Sequence, residues 1–218
     1  MLKITILTDN PKSWIIPYIK KLKFQLRKKY NVRHCYSFED IKKGDIAFFL
    51  SCERIVPQEV LKKNTHNIVV HLSKLPKGKG FSPLAWQILE GKNIIPITLF
   101  EATEEVDSGH IYFEDKIRLK GHELNDEIKN LQGMKTIELV LKFIAHYPNV
   151  HGRAQKGKSL FYRRRSLGDS KLDPNRSIAA QFNKLRVVDN ELYPAFFYYR
   201  GHKYVVKIFK ANKNIIKK

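Results

Sequence analysis

The 218-residue sequence has only two cysteines, and it has no apolar run that approaches the ~20 residues needed to cross a membrane. Cys35 and Cys52 are far apart and lack metal-ligand spacing, so we expect free thiols and no bound metal. The N-terminus lacks a charged leader followed by a long apolar stretch, so we expect no signal peptide. Repeats and low-complexity segments are also absent. These absences favour a globular protein of the reducing cytoplasm, with no membrane partner.

Acidic residues are scarce relative to basic ones, at 21 against 41, which gives a formal net charge of +20. The excess is concentrated in residues 151–218, which hold 17 basic and 4 acidic residues, whereas residues 84–127 hold 4 and 10. A basic surface favours anionic partners such as phosphates or nucleic acid. The alternative is a lysine-rich composition that fills ordinary surface positions.

Short apolar segments alternate along the chain with segments of helical periodicity. Strands are predicted over residues 3–8, 32–36, 46–50, 67–72, 94–102 and 109–114, and helices over 14–29, 57–61, 84–90 and 123–146. Gly133 is a candidate interruption of the last helix, and residues 73–83 are predicted to form a loop. The β-α-β order predicts an α/β fold with a Rossmann-like, mostly parallel sheet.

The character of the sequence changes after residue 150. Residues 151–176 are basic and polar, and residues 178–185 predict a short helix capped by Asn175 or Ser177. Residues 193–209 are aromatic and β-branched around Arg200-Gly201-His202, which predicts a β-hairpin. The last eight residues read as a frayed basic tail. We therefore predict a domain over residues 1–150 and a small basic, aromatic hairpin subdomain over residues 151–218.

Two motifs carry the chemical information. The stretch 71–83 reads HLSKLPKGKGFSP and follows a predicted strand, and Asp107-Ser108-Gly109 comes later in a predicted turn. This pattern resembles the formyltransferases that use 10-formyltetrahydrofolate. In that family a histidine ends a strand and is followed by Ser-x-Leu-Pro, a glycine-rich loop and a proline, and an aspartate lies in an Asp-x-Gly turn. Residues 86–91 and 185–197 further resemble the branch that acts on sugars, most closely the enzymes of pseudaminic-acid-type nucleotide-sugar pathways.

The resemblance implies a catalytic pair and a folate slot. His71 and Asp107 take the catalytic positions, and the slot for 10-formyltetrahydrofolate falls on the segment Glu104, Glu105, Val106, Ser108 and Gly109. Formyl transfer requires a proton to leave the attacking amine and another to reach the departing nitrogen, which an imidazole can provide near pH 7. Asp107 would then orient the imidazole. The alternatives are a structural histidine at a strand end and an ordinary turn aspartate.

The sequence departs from the family pattern at Val69. Relatives place an asparagine two residues before the histidine, where it polarises the formyl oxygen. Asn67 shares the strand face but lies too far along the strand to substitute. Protonated His71, the Ser73 hydroxyl and a loop N–H are therefore the candidate donors for the developing charge.

Seven residues are predicted to bind the substrate, through a phosphate cradle at 77–80, polar groups beside it, and aromatic stacking. They are Ser73, Lys77, Lys79, Ser82, Trp86, Phe197 and Tyr199. The alternatives are a solvated lysine loop and an aromatic strand that packs a small core or a dimer interface. The run Arg163-Arg164-Arg165 could meet a diphosphate, and the alternative is a solvated basic face.

The expected acceptor is a UDP- or dTDP-linked amino sugar. Two alternatives share the chemistry, namely glycinamide ribonucleotide and charged initiator tRNA. Relatives that act on tRNA add a C-terminal barrel that we do not expect here, and the purine enzyme lacks the Tyr193-Pro194-Ala195-Phe196-Phe197 run. A nucleic-acid-binding protein that exploits the net charge is a further alternative, although no nucleic-acid module is recognised. A homodimer through the aromatic strands is also expected.

Overall fold

The computed structural model describes residues 1–211 of the chain. Its strands are β1 (Lys3–Leu7), β2 (Asn31–Cys35), β3 (Gly44–Phe49), β4 (Asn64–His71), β5 (Lys77–Gly80), β6 (Ile94–Glu101), β7 (Ile111–Arg118), β8 (Leu160–Tyr162), β9 (Ala195–Tyr199) and β10 (His202–Val206). Its α-helices are α1 (Ile16–Leu26), α2 (Gln58–Leu61), α3 (Pro83–Leu89), α4 (Asn125–His146) and α5 (Phe182–Arg186), with 3₁₀ turns at Leu167–Ser170 and Ala179–Gln181.

Six strands form the central sheet, in the order β2-β1-β3-β4-β6-β7. The pairs β1–β2, β1–β3 and β3–β4 are parallel, and β6 and β7 extend the sheet as antiparallel strands. The pairing of β6 with β7 has an irregular register beside Leu99 and Phe100, as expected for a bulged pair. The predicted mostly parallel α/β fold is confirmed, and the C-terminal hairpin is present.

Three local predictions were wrong in detail. The first helix spans Ile16–Leu26 and is shorter than predicted, because Trp14 and Ile15 form a turn before it and residues 27–29 form a turn after it. Pro17 lies in its first turn. Residues 73–83 are not a continuous loop, because Lys77–Gly80 pairs in parallel with Leu160–Tyr162. This pairing joins segments about eighty positions apart, so no local pattern could indicate it.

Gly133 does not interrupt α4, which is continuous from Asn125 to His146. The helix instead needs a small residue at this position, because a Cβ on Gly133 would lie 2.5 Å from the ring of Tyr18. Tyr18 is in α1, and its hydroxyl donates to the Asn130 side chain at 2.9 Å. Gly133 is therefore the point of closest approach between the two helices.

We expect Gly133→Ala to destabilise the protein. Alanine improves helix propensity by ~1 kcal/mol, but forcing the Tyr18 ring aside costs roughly 1–3 kcal/mol. The free energy of unfolding should therefore fall by about 1 kcal/mol, which a urea titration would report as a lower midpoint. Met134→Ala is the matched control, because Met134 is exposed on the same helix, and it should leave the midpoint nearly unchanged. A more stable Gly133→Ala protein would contradict the close contact.

The segment after residue 150 builds a small apolar cluster of its own and also joins the larger core. The hairpin β9–β10 turns at Arg200 and Gly201, both with positive φ, as predicted. The Ser177 hydroxyl accepts the N–H of Ala180 at 3.2 Å, but the N-cap positions are Ile178 for the 3₁₀ turn and Gln181 for α5, so neither Asn175 nor Ser177 is the cap. Residues 212–218 of the predicted basic tail lie outside the described residues. The domain boundary at residue 150 stays a prediction.

The described residues contain no helix long and apolar enough to cross a membrane. Within the same range, residues 1–211, no group of three or more histidine, cysteine or carboxylate side chains is arranged to hold a metal ion.

Candidate active site

A cleft of about 550 Å³ opens where β3 and β4 end. The carboxyl ends of parallel strands are the usual ligand-binding edge of an open α/β sheet. Phe49, the last residue of β3, and His71, the last residue of β4, both line the cleft. Asp107 lines it as well, although it follows β6. The fold thus brings the two predicted catalytic residues into one cavity.

Two contacts of the Nε2 atom define the orientation of the His71 ring. This nitrogen lies 2.8 Å from the Gly78 carbonyl oxygen and 3.7 Å from Oδ2 of Asp107. A carbonyl oxygen can only accept, so Nε2 must carry the hydrogen in the neutral ring. The His71 side chain is nearly buried, at 10% exposure, which restricts solvent access to the pair. The remaining ring nitrogen, Nδ1, is then the basic atom of the neutral imidazole.

The Asp107 turn is held by contacts from two distant segments. Oδ2 of Asp107 accepts the backbone N–H of Gly80 at 2.8 Å. The Gln155 amide donates to the carbonyls of Asp107 and Gly109 at 2.8 and 2.9 Å. Gly109 is required because a Cβ there would lie 1.8 Å from the Glu101 carbonyl oxygen. The Asp-x-Gly pattern therefore reflects close packing against β6, whereas no sequence signal identified Gln155.

Three consecutive residues of β5, Gly78, Lys79 and Gly80, contact His71 and the turn that carries Asp107. The Gly78 carbonyl accepts from His71, and the Gly80 N–H donates to Asp107. Between them lies Lys79, which is 3% exposed, and its Nζ donates to the Ser108 hydroxyl and lies 3.9 Å from a Glu105 carboxylate oxygen. The Lys79 ammonium group is thus engaged with the turn that carries Asp107.

We expect Lys79→Met to lower the maximal rate of the reaction by roughly tenfold, because a charge-assisted hydrogen bond of ~1.5–3 kcal/mol that holds the Asp107 turn is lost. The Michaelis constant for the acceptor should change little. Lys74→Met is the matched control, since Lys74 is an exposed lysine in the segment that leads into the same strand and has no predicted role in the site. A raised Michaelis constant with an unchanged maximal rate would instead support the phosphate-binding role predicted from the sequence.

The other predicted residues divide between the cleft and its surroundings. Val106 and Ser82 line the cleft, while Glu104, Glu105 and Ser108 line a shallower depression beside α2. Trp86 stacks on Tyr162 and donates its indole N–H to the Arg163 carbonyl at 2.8 Å, so it supports the segment that borders the cleft. Phe197 stacks on Tyr204 within the hairpin, and Tyr199 is exposed there. The binding roles of these residues stay predictions.

Val69 lines the cleft where the family pattern expects an asparagine. Asn67 does not line the cleft, and its amide donates to the Leu61 carbonyl at 2.8 Å, so it does not take the place of the asparagine. Ser73 is buried at 2% exposure, and among the described residues its hydroxyl has no hydrogen-bond partner. His71 is therefore the candidate donor that the structure places on the cleft wall.

Cys52 lines the cleft but is a poor nucleophile. Burial and the nearby Asp9 carboxylate raise the pKa of its thiol to about 12. The thiol stays protonated at neutral pH, and only the thiolate reacts readily. Cysteine chemistry is therefore not favoured at this site.

The fold and the cleft define an α/β protein with a histidine–aspartate pair at the carboxyl edge of its sheet. The sequence profile of the family described as formyl transferase matches residues 16–138, which is more than half of the chain. The chain belongs to the formyl transferase family.

The similar proteins differ in their described acceptors. A methionyl-tRNA formyltransferase of Thermus thermophilus is 25% identical over 170 residues, covering 73% of this chain and 52% of that protein. The chain spans about half the length of the curated relatives it matches. Among solved structures, a methionyl-tRNA formyltransferase from Clostridium thermocellum has a TM-score of 0.80 at 24% identity, covering 93% of this chain and 90% of its own. A sugar N-formyltransferase from a Shewanella species has a TM-score of 0.70 at 16% identity, covering 95% of this chain and 97% of its own.

A further solved structure contains a folate. HypX from Aquifex aeolicus, in complex with tetrahydrofolic acid, has a TM-score of 0.76 at 18% identity and covers 95% of this chain and 37% of its own. At these identities the structural likeness supports the fold.

Proposed function

We propose that the chain transfers a formyl group from 10-formyltetrahydrofolate to the amine of a nucleotide-linked amino sugar. The observation that carries the proposal is the placement of His71 and Asp107, 3.7 Å apart, in a cleft of a formyl transferase family member. A metal would not be needed for this reaction, since the imidazole supplies the proton transfers.

The walls of the cleft suit a planar folate ring. Val69, Phe100, Ala102 and Val106 line one part of the cavity and present apolar surface. Small-molecule sites are mostly apolar, with few polar groups that fix orientation. The Ala102–Asp107 stretch borders the same part, where its backbone can pair with the polar edge of a pterin. The donor supplies the formyl group on a ring-linked nitrogen, and these residues hold it beside His71.

His71 then handles the protons. Nε2 is taken by Gly78 and Asp107, so we assign proton removal from the acceptor amine to Nδ1. The Asp107 carboxylate stabilises the resulting imidazolium. Val69 has no donor group, so we assign stabilisation of the negative charge that develops on the formyl oxygen to the imidazolium as well.

The sugar acceptor is favoured by the fraction of each similar protein's length that this chain matches. The likeness to the Shewanella sugar N-formyltransferase runs through 95% of this chain and 97% of that protein. The Thermus tRNA enzyme matches over 52% of its length. The Clostridium structure is the observation that favours a tRNA acceptor instead, because it also covers 93% of this chain. Charged initiator tRNA is therefore the second candidate.

Mass spectrometry tests the proposal directly. The purified chain is incubated with 10-formyltetrahydrofolate and a panel of UDP- and dTDP-linked amino sugars, and in parallel with glycinamide ribonucleotide and methionine-charged initiator tRNA. We expect one sugar nucleotide to gain the mass of a single formyl group, and the His71→Ala protein to be the control without transfer. Formylation of the tRNA alone would overturn the sugar assignment, and no transfer to any amine would overturn the activity.

A homodimer and a cytoplasmic location also stay proposals. Tyr198, Tyr199 and Tyr204 are about half exposed on β9 and β10, which leaves an aromatic surface on the hairpin. If two copies pair through this surface, light scattering should report twice the 25.6 kDa chain mass. The paired substitution Tyr198→Ser and Tyr204→Ser should then yield the monomer.

A further inference from the structure

Arg165 is a cleft residue whose positive charge is incompletely matched. It lines the same cavity as His71 and Asp107, and it is only partly exposed. One guanidinium nitrogen donates to the Val187 carbonyl at 3.1 Å, while Nε is buried and has no hydrogen-bond partner among the described residues. Burial lowers the pKa of the Arg165 guanidinium, and the distant Asp169 carboxylate opposes this only in part.

Other basic side chains in similar settings have carboxylate partners. Arg186 pairs with Glu123 at 3.1 Å, and Lys129 pairs with Asp189 at 2.9 Å. Within residues 1–211, no carboxylate oxygen lies within 4.0 Å of the Arg165 guanidinium. A buried charge without a counter-charge is costly, so the missing partner of Arg165 indicates that a ligand supplies it.

Arg164 adds a second, loosely held cation to this wall. Its guanidinium stacks over the Phe81 ring at 4.4 Å and lies 3.5 Å from a Glu53 carboxylate oxygen. Both members of the Arg164–Glu53 pair are more than half exposed, and surface pairs of this kind contribute at most ~1 kcal/mol. Arg164, Glu53 and Phe81 all line the cleft. An anion that enters there can therefore replace Glu53 as the partner of Arg164.

We propose that Arg164 and Arg165 form an anion subsite of the cleft, which holds the phosphate or diphosphate group of the acceptor. The proposal rests on the function proposed above, because it places the acceptor in the cleft that contains His71. The forked guanidinium donors match phosphate oxygens in geometry and charge. Serine side chains at 166 and 170 border the same wall. The subsite binds the phosphate or diphosphate group of the acceptor, while His71 acts on its amine.

Calorimetric titration of the full chain with UDP, dTDP and inorganic pyrophosphate tests the subsite without requiring turnover. We expect Arg165→Gln to weaken UDP binding by roughly 10- to 100-fold, as for a lost hydrogen bond to a charged group of ~1.5–3 kcal/mol. Arg163→Gln is the matched control, because it removes one charge from the same run, while Arg163 is exposed and does not line the cleft. Its affinity for UDP should stay within threefold of the wild type. Arg165→Lys keeps the positive charge but lacks the forked guanidinium donors. This variant takes the place of Arg165→Gln in the titration if Arg165→Gln does not fold.

The outcomes separate the subsite from the proposed function. Equal weakening by Arg163→Gln and Arg165→Gln would overturn the subsite, because it would show general attraction to the basic surface. Wild-type protein that binds neither UDP, dTDP nor pyrophosphate would also overturn it. Selective loss in Arg165→Gln, in a protein that formylates no amine, would support the subsite and overturn the activity. Formylation of a sugar nucleotide that Arg165→Gln leaves unchanged would support the activity and overturn the subsite.

Discussion

Replacing His71 with alanine or asparagine lowers the rate of formyl transfer by roughly 10²- to 10⁴-fold, the range expected when a general acid–base group is removed. The imidazole lies in the cleft with Nε2 fixed by the Gly78 carbonyl, so neither replacement can accept the amine proton in its place. Folate affinity should change far less, because the apolar wall and the 102–107 segment are untouched. Single-turnover transfer at saturating substrate is the measurement.

Asp107→Asn should reduce the rate in a similar way, since it keeps the size of the side chain and removes the charge that stabilises the imidazolium. The Gly80 N–H can still donate to the amide oxygen, so the turn should keep its shape. The double variant should lose little more than the slower single variant, because residues that act as a unit are not additive. Activity should also fall in acid, where the acceptor amine is protonated and cannot attack.

A rate within threefold of the wild type for folded His71→Ala protein would remove His71 from the mechanism. Circular dichroism and folate binding of the same preparation establish that it is folded. The resemblance to the family would then reach no further than the fold.

Arg186→Met is expected to produce the largest loss of stability. Arg186 is 1% exposed, and its guanidinium donates to the Glu123 carboxylate at 3.1 Å, to the Glu123 carbonyl at 3.2 Å and to the Asn93 side chain at 2.9 Å. Removing one member of a buried ion pair leaves the other charge without a partner, at a cost of about 3–5 kcal/mol. For a chain of this size the melting temperature should fall by roughly 6–20 °C.

Scanning calorimetry checks this result, and the double variant Arg186→Met with Glu123→Gln separates its causes. If the unpaired Glu123 carboxylate accounts for most of the loss, the double variant should recover part of it, because no buried charge remains. Arg200→Met is the control, since Arg200 lies in the exposed hairpin turn. A melting temperature of Arg186→Met equal to that of this control would show that the pair contributes nothing to stability.

Some residues of the cleft were indicated by the sequence, and others were recognised only in the structure. The sequence pointed to His71 and Asp107 through a resemblance: a histidine at a strand end followed by Ser-x-Leu-Pro, and an aspartate in an Asp-x-Gly turn, match the family pattern. The catalytic roles of both residues stay predictions. The burial of Lys79 was not predictable, because lysine is almost always exposed and only the fold shows that this residue is 3% exposed. Its assignment to a phosphate cradle came from a glycine-rich pattern that the structure resolves as a paired strand.

The sequence by itself determined the features that depend on neighbours in the chain. Hydrophobic periodicity specified the strands and helices of the α/β core, and the turn residues Arg200 and Gly201 specified the hairpin. These signals are local, because a helix or strand repeats its buried face every few residues. The strand-ending histidine and the glycine-containing turn belong to the same class of information.

Only the tertiary structure decided which distant segments meet. Gln155 donates to the Asp107 turn from 48 positions away, and Arg186 pairs with Glu123 across 63 positions. β8 pairs with β5, which contacts both predicted catalytic side chains. It also decided that Gly133 contacts Tyr18 and that Arg165 lacks a carboxylate partner among the described residues. Such contacts depend on three-dimensional packing and on the need to satisfy buried polar groups, and neither leaves a periodic trace in the sequence.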